Sequence, residues 1–143
     1  MQRMVMIVVV LVVVLAGCGD NATKPTATFD GDACIYQGPS DFAQGEYPFV
    51  FANEAETKAG MAVWKIPDGM TTGEVEAAGG VFYVANPVMD IGGSERGIDP
   101  GNTVEVATLL DRPGTWLINC FVEDTVEGEG IDVGATVFTV TNN

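Results

Sequence analysis

The stretch Asp111-Arg112-Pro113-Gly114-Thr115-Trp116-Leu117-Ile118-Asn119-Cys120-Phe121-Val122 decides the fold. Its first four residues carry a turn signal, with Pro fixing φ and Gly supplying backbone freedom. The eight that follow are apolar, aromatic or β-branched at nearly every position, so the strand they form has little surface to offer water on either face. A strand of that composition belongs in the middle of a sheet, between two layers. Neighbouring runs repeat the pattern at shorter reach. Residues 103–110 stop at the same Asp111–Gly114 turn, and 135–141 close the chain. Residues 47–52 place Tyr47, Phe49 and Phe51 on one face at period two. Residues 61–66 stop at Pro67-Asp68-Gly69, and Cys34-Ile35-Tyr36-Gln37 runs into Gly38-Pro39-Ser40-Asp41. One helix is expected, where Thr71-Thr72-Gly73-Glu74 sets a capping box ahead of Val75-Glu76-Ala77-Ala78 and Gly79-Gly80 ends it. Six or seven short strands with a single short helix predict an all-β, antiparallel β-sandwich over residues 29–143.

Composition narrows the chemistry. The 143 residues carry 6 Lys+Arg against 20 Asp+Glu, a net charge of −14, and no histidine. A phosphate backbone is repelled by such a field, which excludes nucleic acid as a partner. The commonest general base and commonest metal ligand are both missing. Ser40 and Ser94 are the only serines, and neither has a histidine to activate it. Gly92-Gly93-Ser94-Glu95-Arg96-Gly97 starts like a phosphate loop but lacks its Lys-Ser/Thr ending. Trp64, Trp116, Phe49, Phe51 and Tyr47 at strand period read as core rather than as a ligand groove. The expectation is a protein that is not an enzyme and carries no cofactor.

The amino end reads as an export signal. Arg3 precedes twelve apolar residues, Met4 to Leu15; that matches a signal core of roughly 7–15 residues and falls short of the ~20 needed to span. Leu15-Ala16-Gly17-Cys18 resembles the lipobox of bacterial lipoproteins at all four positions. The resemblance implies removal of residues 1–17 and lipid on Cys18, with several acyl chains giving stable attachment to the bilayer. Losing those residues takes away one base and no acid, so the net charge moves to −15. Residues 18–28 have no apolar period and read as a flexible tether.

Three further stretches resemble cupredoxin-like domains. Asp111 to Cys120 is similar to their L-x-P-G-x-Y-x-x-x-C strand. Val50-Phe51-Ala52-Asn53-Glu54 resembles their early strand-then-Asn corner, and residues 65–75 resemble an insert of exported cupredoxin-like lipoproteins. The resemblance implies a Greek-key β-sandwich, cupredoxin-like or immunoglobulin-like, on the extracytoplasmic side of a membrane. The departures bear on function. A blue-copper centre takes two imidazoles, one thiolate and a weak axial ligand, and this chain has Cys120 but no histidine. Met61, Met70 and Met89 offer thioethers that nothing in their spacing gathers.

Beyond Cys18 the cysteines are Cys34 and Cys120, an even pair that reads as a disulfide in an exported domain, against the alternative of two buried thiols. Glu123, Asp124, Glu127, Glu129 and Asp132 offer hard oxygen ligands for Ca²⁺ but not in EF-hand order, so they read as a solvated turn, as do Glu54, Glu56, Glu74 and Glu76. Two functions remain in view. One is a lipid-anchored, non-catalytic module binding a protein or small ligand, basic or cationic given the charge. The other is a metal-dependent module, with Ca²⁺ on the acidic stretch or copper with atypical ligands.

Overall fold

The structure, a computed structural model, describes residues 23–71, 73–74, 90–123 and 130–142. In chain order the strands are β1 (Thr26–Phe29), β2 (Cys34–Gln37), β3 (Asp41–Ala43), β4 (Gly45–Asn53), β5 (Ala59–Lys65), β6 (Asp90–Ile98), β7 (Thr103–Leu110), β8 (Gly114–Glu123) and β9 (Gly130–Thr141). They form a four-stranded sheet, β2-β1-β4-β7, and a five-stranded sheet, β3-β9-β8-β5-β6.

The two sheets close on one core. Ala27 and Phe29 of β1, Phe49 and Phe51 of β4, and Val106 and Leu110 of β7 meet Met61 and Val63 of β5, Trp116, Ile118 and Cys120 of β8, and Phe138 and Val140 of β9. Each set alternates along its strand, as period-two side chains on one face must. Phe42 is the hub of the aromatic packing, edge-on to Phe138 at 5.0 Å and to Tyr47 at 4.9 Å. At the turn before β8, the Trp116 indole N–H donates to the Arg112 carbonyl at 3.0 Å, locking the Pro113-Gly114 corner to the strand it feeds.

β8 lies between β9 and β5, as its two apolar faces predict. Its second face makes a second, smaller core of Ala62, Trp64, Ile66, Leu117 and Phe121, so every residue of β5 is buried. Within that layer Asn119 is fully buried and its side-chain oxygen accepts from the Trp64 indole N–H at 3.0 Å. Asn53 works similarly at the end of β4. Its amide donates to the Thr57 and Ile98 carbonyls, each at 2.8 Å, and accepts from the Ala55 N–H, tying the corner after β4 to the end of β6.

Three expectations are corrected. The sandwich is mixed rather than wholly antiparallel: β1 pairs with β4, and β3 with β9, in parallel. The chain leaves the first sheet after β2, places β3 in the other, and returns in β4 beside β1 and in the same direction. The tether does not reach residue 28, because Thr26–Phe29 is β1, held between β2 and β4. The acidic stretch is not one long turn either; Glu123 ends β8 and Asp132 lies in β9, opposite Phe121. Residues 90–98, with their Gly92-Gly93 pair, form strand β6, which lacks the apolar alternation of the other strands. A Cβ on Gly92 would stand 2.8 Å from the Trp116 ring, and one on Gly93 would stand 2.6 Å from the Ala107 carbonyl oxygen, so the glycines let β6 lie directly against β7. The expected capping box forms, with the Thr71 N–H on the Glu74 carboxylate at 2.6 Å and the Glu74 N–H on the Thr71 hydroxyl at 3.3 Å. The helix that it would start, over 75–80, lies outside the described residues.

Candidate functional site

Cys34 and Cys120 are joined. The disulfide links the edge strand of one sheet to the central strand of the other, with Cα atoms 5.5 Å apart, inside the range such a bridge requires. The residue opposite Cys120 on β9 is Gly134, with φ at +153°. A Cβ there would sit 3.5 Å from the Cys34 Cβ, in ordinary contact, so it is the positive φ rather than crowding that suits glycine beside the bridge. The bond encloses 86 residues of sequence separation and contributes about 2–4 kcal/mol.

The donor set for blue copper does not exist in this chain. The Cys120 sulfur is bonded to Cys34, and no histidine occurs anywhere in the sequence. Met61 lies opposite Cys120 on β5 and is fully buried, one thioether with no imidazole beside it. Met70 packs on the second core, and Met89 lies outside the described residues. Among the described residues no three potential metal-ligating side chains come together. Of the Ca²⁺ candidates, Asp124, Glu127 and Glu129 lie outside the described residues, as does Cys18.

The aromatics read as core are core: Phe49, Phe51, Trp116 and Trp64 are buried, and Tyr47 packs against them. Ser40 bonds to the carboxylate of Asp41 at 3.3 Å. Tyr36 donates to the Pro39 carbonyl at 2.9 Å, and burial pushes its phenol up to about 12. The backbone N–H groups of Asp32 and Ala33 hold the Asp30 carboxyl below its usual range, and Thr71 does the same for Glu74. These two are turn and cap carboxylates with their work already assigned.

Two arrangements escaped the sequence. Lys65 is buried, yet its ammonium donates to the Ile66 carbonyl and to Asp68 at 3.0 Å, bracing the Pro67-Asp68-Gly69 turn against Gly114. The other lies on the outer face of the four-stranded sheet, where Glu46, Tyr47, Pro48, Glu105 and Ala107 line a shallow groove of about 180 Å³. The Lys24 ammonium, from just before β1, pairs with the Glu105 carboxylate there. The remaining basic side chains are engaged elsewhere: Lys58 with Asp99, Arg112 with Asp111, and Arg96 over the Phe121 ring at 5.9 Å. The cations of the domain are thus each matched locally, and the surplus is carboxylate.

No family model matches the chain, and no curated protein matches it. Among solved structures it is similar to the dithionite-reduced auracyanin of the photosynthetic bacterium Roseiflexus castenholzii, at 16% identity and a TM-score of 0.48, over 81% of this chain and 94% of that one. It is similar to auracyanin B at 16% identity and a TM-score of 0.47, over 81% and 86%. It is also similar to the blue copper oxidase of Nitrosomonas europaea at 14% identity and a TM-score of 0.41, over 83% of this chain and 43% of that one.

Proposed function

We propose that the protein is an exported lipoprotein, held to the outer side of a membrane through Cys18, whose cupredoxin-like β-sandwich is a non-catalytic binding module. One observation carries the functional half of this reading: the Cys34–Cys120 bond consumes the domain's two thiols in a chain with no histidine. A sulfur held in a disulfide cannot serve as a thiolate ligand or nucleophile. What the domain offers instead is a rigid, cross-linked scaffold with an anionic surface.

The anchor is supported by the Leu15-Ala16-Gly17-Cys18 run and by a disulfide, which belongs to an oxidising compartment outside the cytoplasm. The test is detergent-phase partition of the parent and of Cys18→Ser. The parent enters the detergent phase, and the variant moves to the aqueous phase or stays as unprocessed precursor. Identical partition and migration of the two overturns the anchor. The same preparation, melted with and without Ca²⁺, tests the functional half: the midpoint stays where it was, whereas a saturable rise would mark a resident cation.

A further inference from the structure

The groove on the outer face of the four-stranded sheet has an ordered layout. Across the β4–β7 pair, Glu46 is opposite Leu109, Pro48 opposite Ala107, and Val50 opposite Glu105. These residues share one face by period two, and Phe49, Val106, Thr108 and Leu110 point the other way, into the core. The result is an apolar middle of Pro48 and Ala107, with Leu109 more than half exposed beside it, and a carboxylate at each of two opposite corners. Two pair-steps separate Glu46 from Glu105, about 13 Å along the strands. An extended segment places side chains on one side at the same interval, four residues apart.

The structure already holds one such cation. Lys24 precedes β1, and β4 lies between β1 and β7, so its ammonium reaches over β4 to meet Glu105. The segment that carries it is fixed by the Val50 N–H on the Pro25 carbonyl at 2.8 Å. Lys24 therefore shows what this corner accepts: an ammonium on the Glu105 carboxylate.

We infer that this groove binds an extended segment of a partner protein with the pattern basic-x-apolar-x-basic, and that Lys24 is its internal competitor at Glu105. The apolar residue covers Pro48 and Ala107, and the basic residues reach Glu46 and Glu105. Entry of the partner displaces the Lys24 ammonium from Glu105. A second copy of this chain is a poor occupant, because its surface carries the same surplus of carboxylate.

The inference rests on the binding-module reading and is tested apart from it. The full chain in detergent micelles is titrated with a fluorescent peptide of sequence lysine-threonine-valine-threonine-lysine, followed by anisotropy and by backbone amide shifts. Shifts confined to residues 23–26, 46–50 and 105–109 are expected. Lys24→Ala tightens binding about two- to fivefold, the range of one exposed ion pair. Glu46→Gln with Glu105→Gln weakens it by more than either single change, and 0.5 M salt weakens it further. Four results overturn the inference: shifts centred on other carboxylates, affinity indifferent to the double change, no tightening in Lys24→Ala, or a concentration-dependent dimer that buries this face. None of them touches the anchor, which the partition assay reads separately.

Discussion

The two sheets of this sandwich treat their outer faces differently. In the four-stranded sheet, β7 alternates, with Val106, Thr108 and Leu110 buried and Glu105, Ala107 and Leu109 exposed. In the five-stranded sheet, β5 is buried along its whole length, and Leu117 and Phe121 of β8 belong to a second core. The same side-chain type therefore has opposite meanings on the two sheets. Leu117 is 2% exposed and Leu109 is 52% exposed, although each points away from the central core. One outer face is committed to stability. The other is exposed to solvent.

Leu117→Ala against Leu109→Ala gives the largest expected contrast. The first opens a cavity in the second core and costs about 2–5 kcal/mol. The second removes surface that water already reaches and stays within about 0.5 kcal/mol. Chemical denaturation of both variants measures the difference, and equal losses would erase the distinction between the faces. The next effect is on the bond between the sheets. Replacing both Cys34 and Cys120 with Ala is expected to cost about 2–4 kcal/mol while the strands still form. Far-UV circular dichroism of the variant checks that the sandwich survives without its staple.

A smaller effect sharpens the account of the second core. Asn119→Ala leaves the buried Trp64 indole N–H without the 3.0 Å acceptor the structure gives it, at about 1–3 kcal/mol. A double-mutant cycle with Trp64→Phe isolates that bond, and strictly additive losses would show that the two side chains act independently. The smallest effect is a pH dependence. Tyr36 has its phenol raised to about 12 from 10 by burial, so the folded state keeps a proton that the unfolded chain gives up. Its contribution is intact below pH 10 and fades as pH rises from 10 to about 12. In Tyr36→Phe that part of the alkaline decline is missing from the stability profile.

How far the sequence could be read follows from what sets each feature. The strand 115–122 and the paired aromatics of 47–52 were legible because burial on a sheet writes a period into side-chain type. The disulfide was legible from an even cysteine pair in an exported domain. Strand β6 was not, since glycines are poor strand formers and Gly92-Gly93 is explained by the nearness of β7, a fact of tertiary packing. The parallel pairings were hidden because pairing direction depends on where the chain crosses between sheets. The groove was hidden for the same reason: Glu46 and Glu105 are 59 positions apart in sequence and come to one face of the sheet only through the β4–β7 register. Lys65 looked like the end of an apolar strand, and its role depends on a turn four residues wide closing over its ammonium.

The most direct test of the proposal that this β-sandwich is a disulfide-closed scaffold and not a copper carrier is a Cu(II) titration of the purified full chain followed by its visible spectrum. The account predicts no thiolate-to-copper charge-transfer band at any ratio, with Cys34 and Cys120 resistant to alkylation before and after. A stoichiometric blue species would contradict it, because that band requires a cysteine sulfur free to bind the metal.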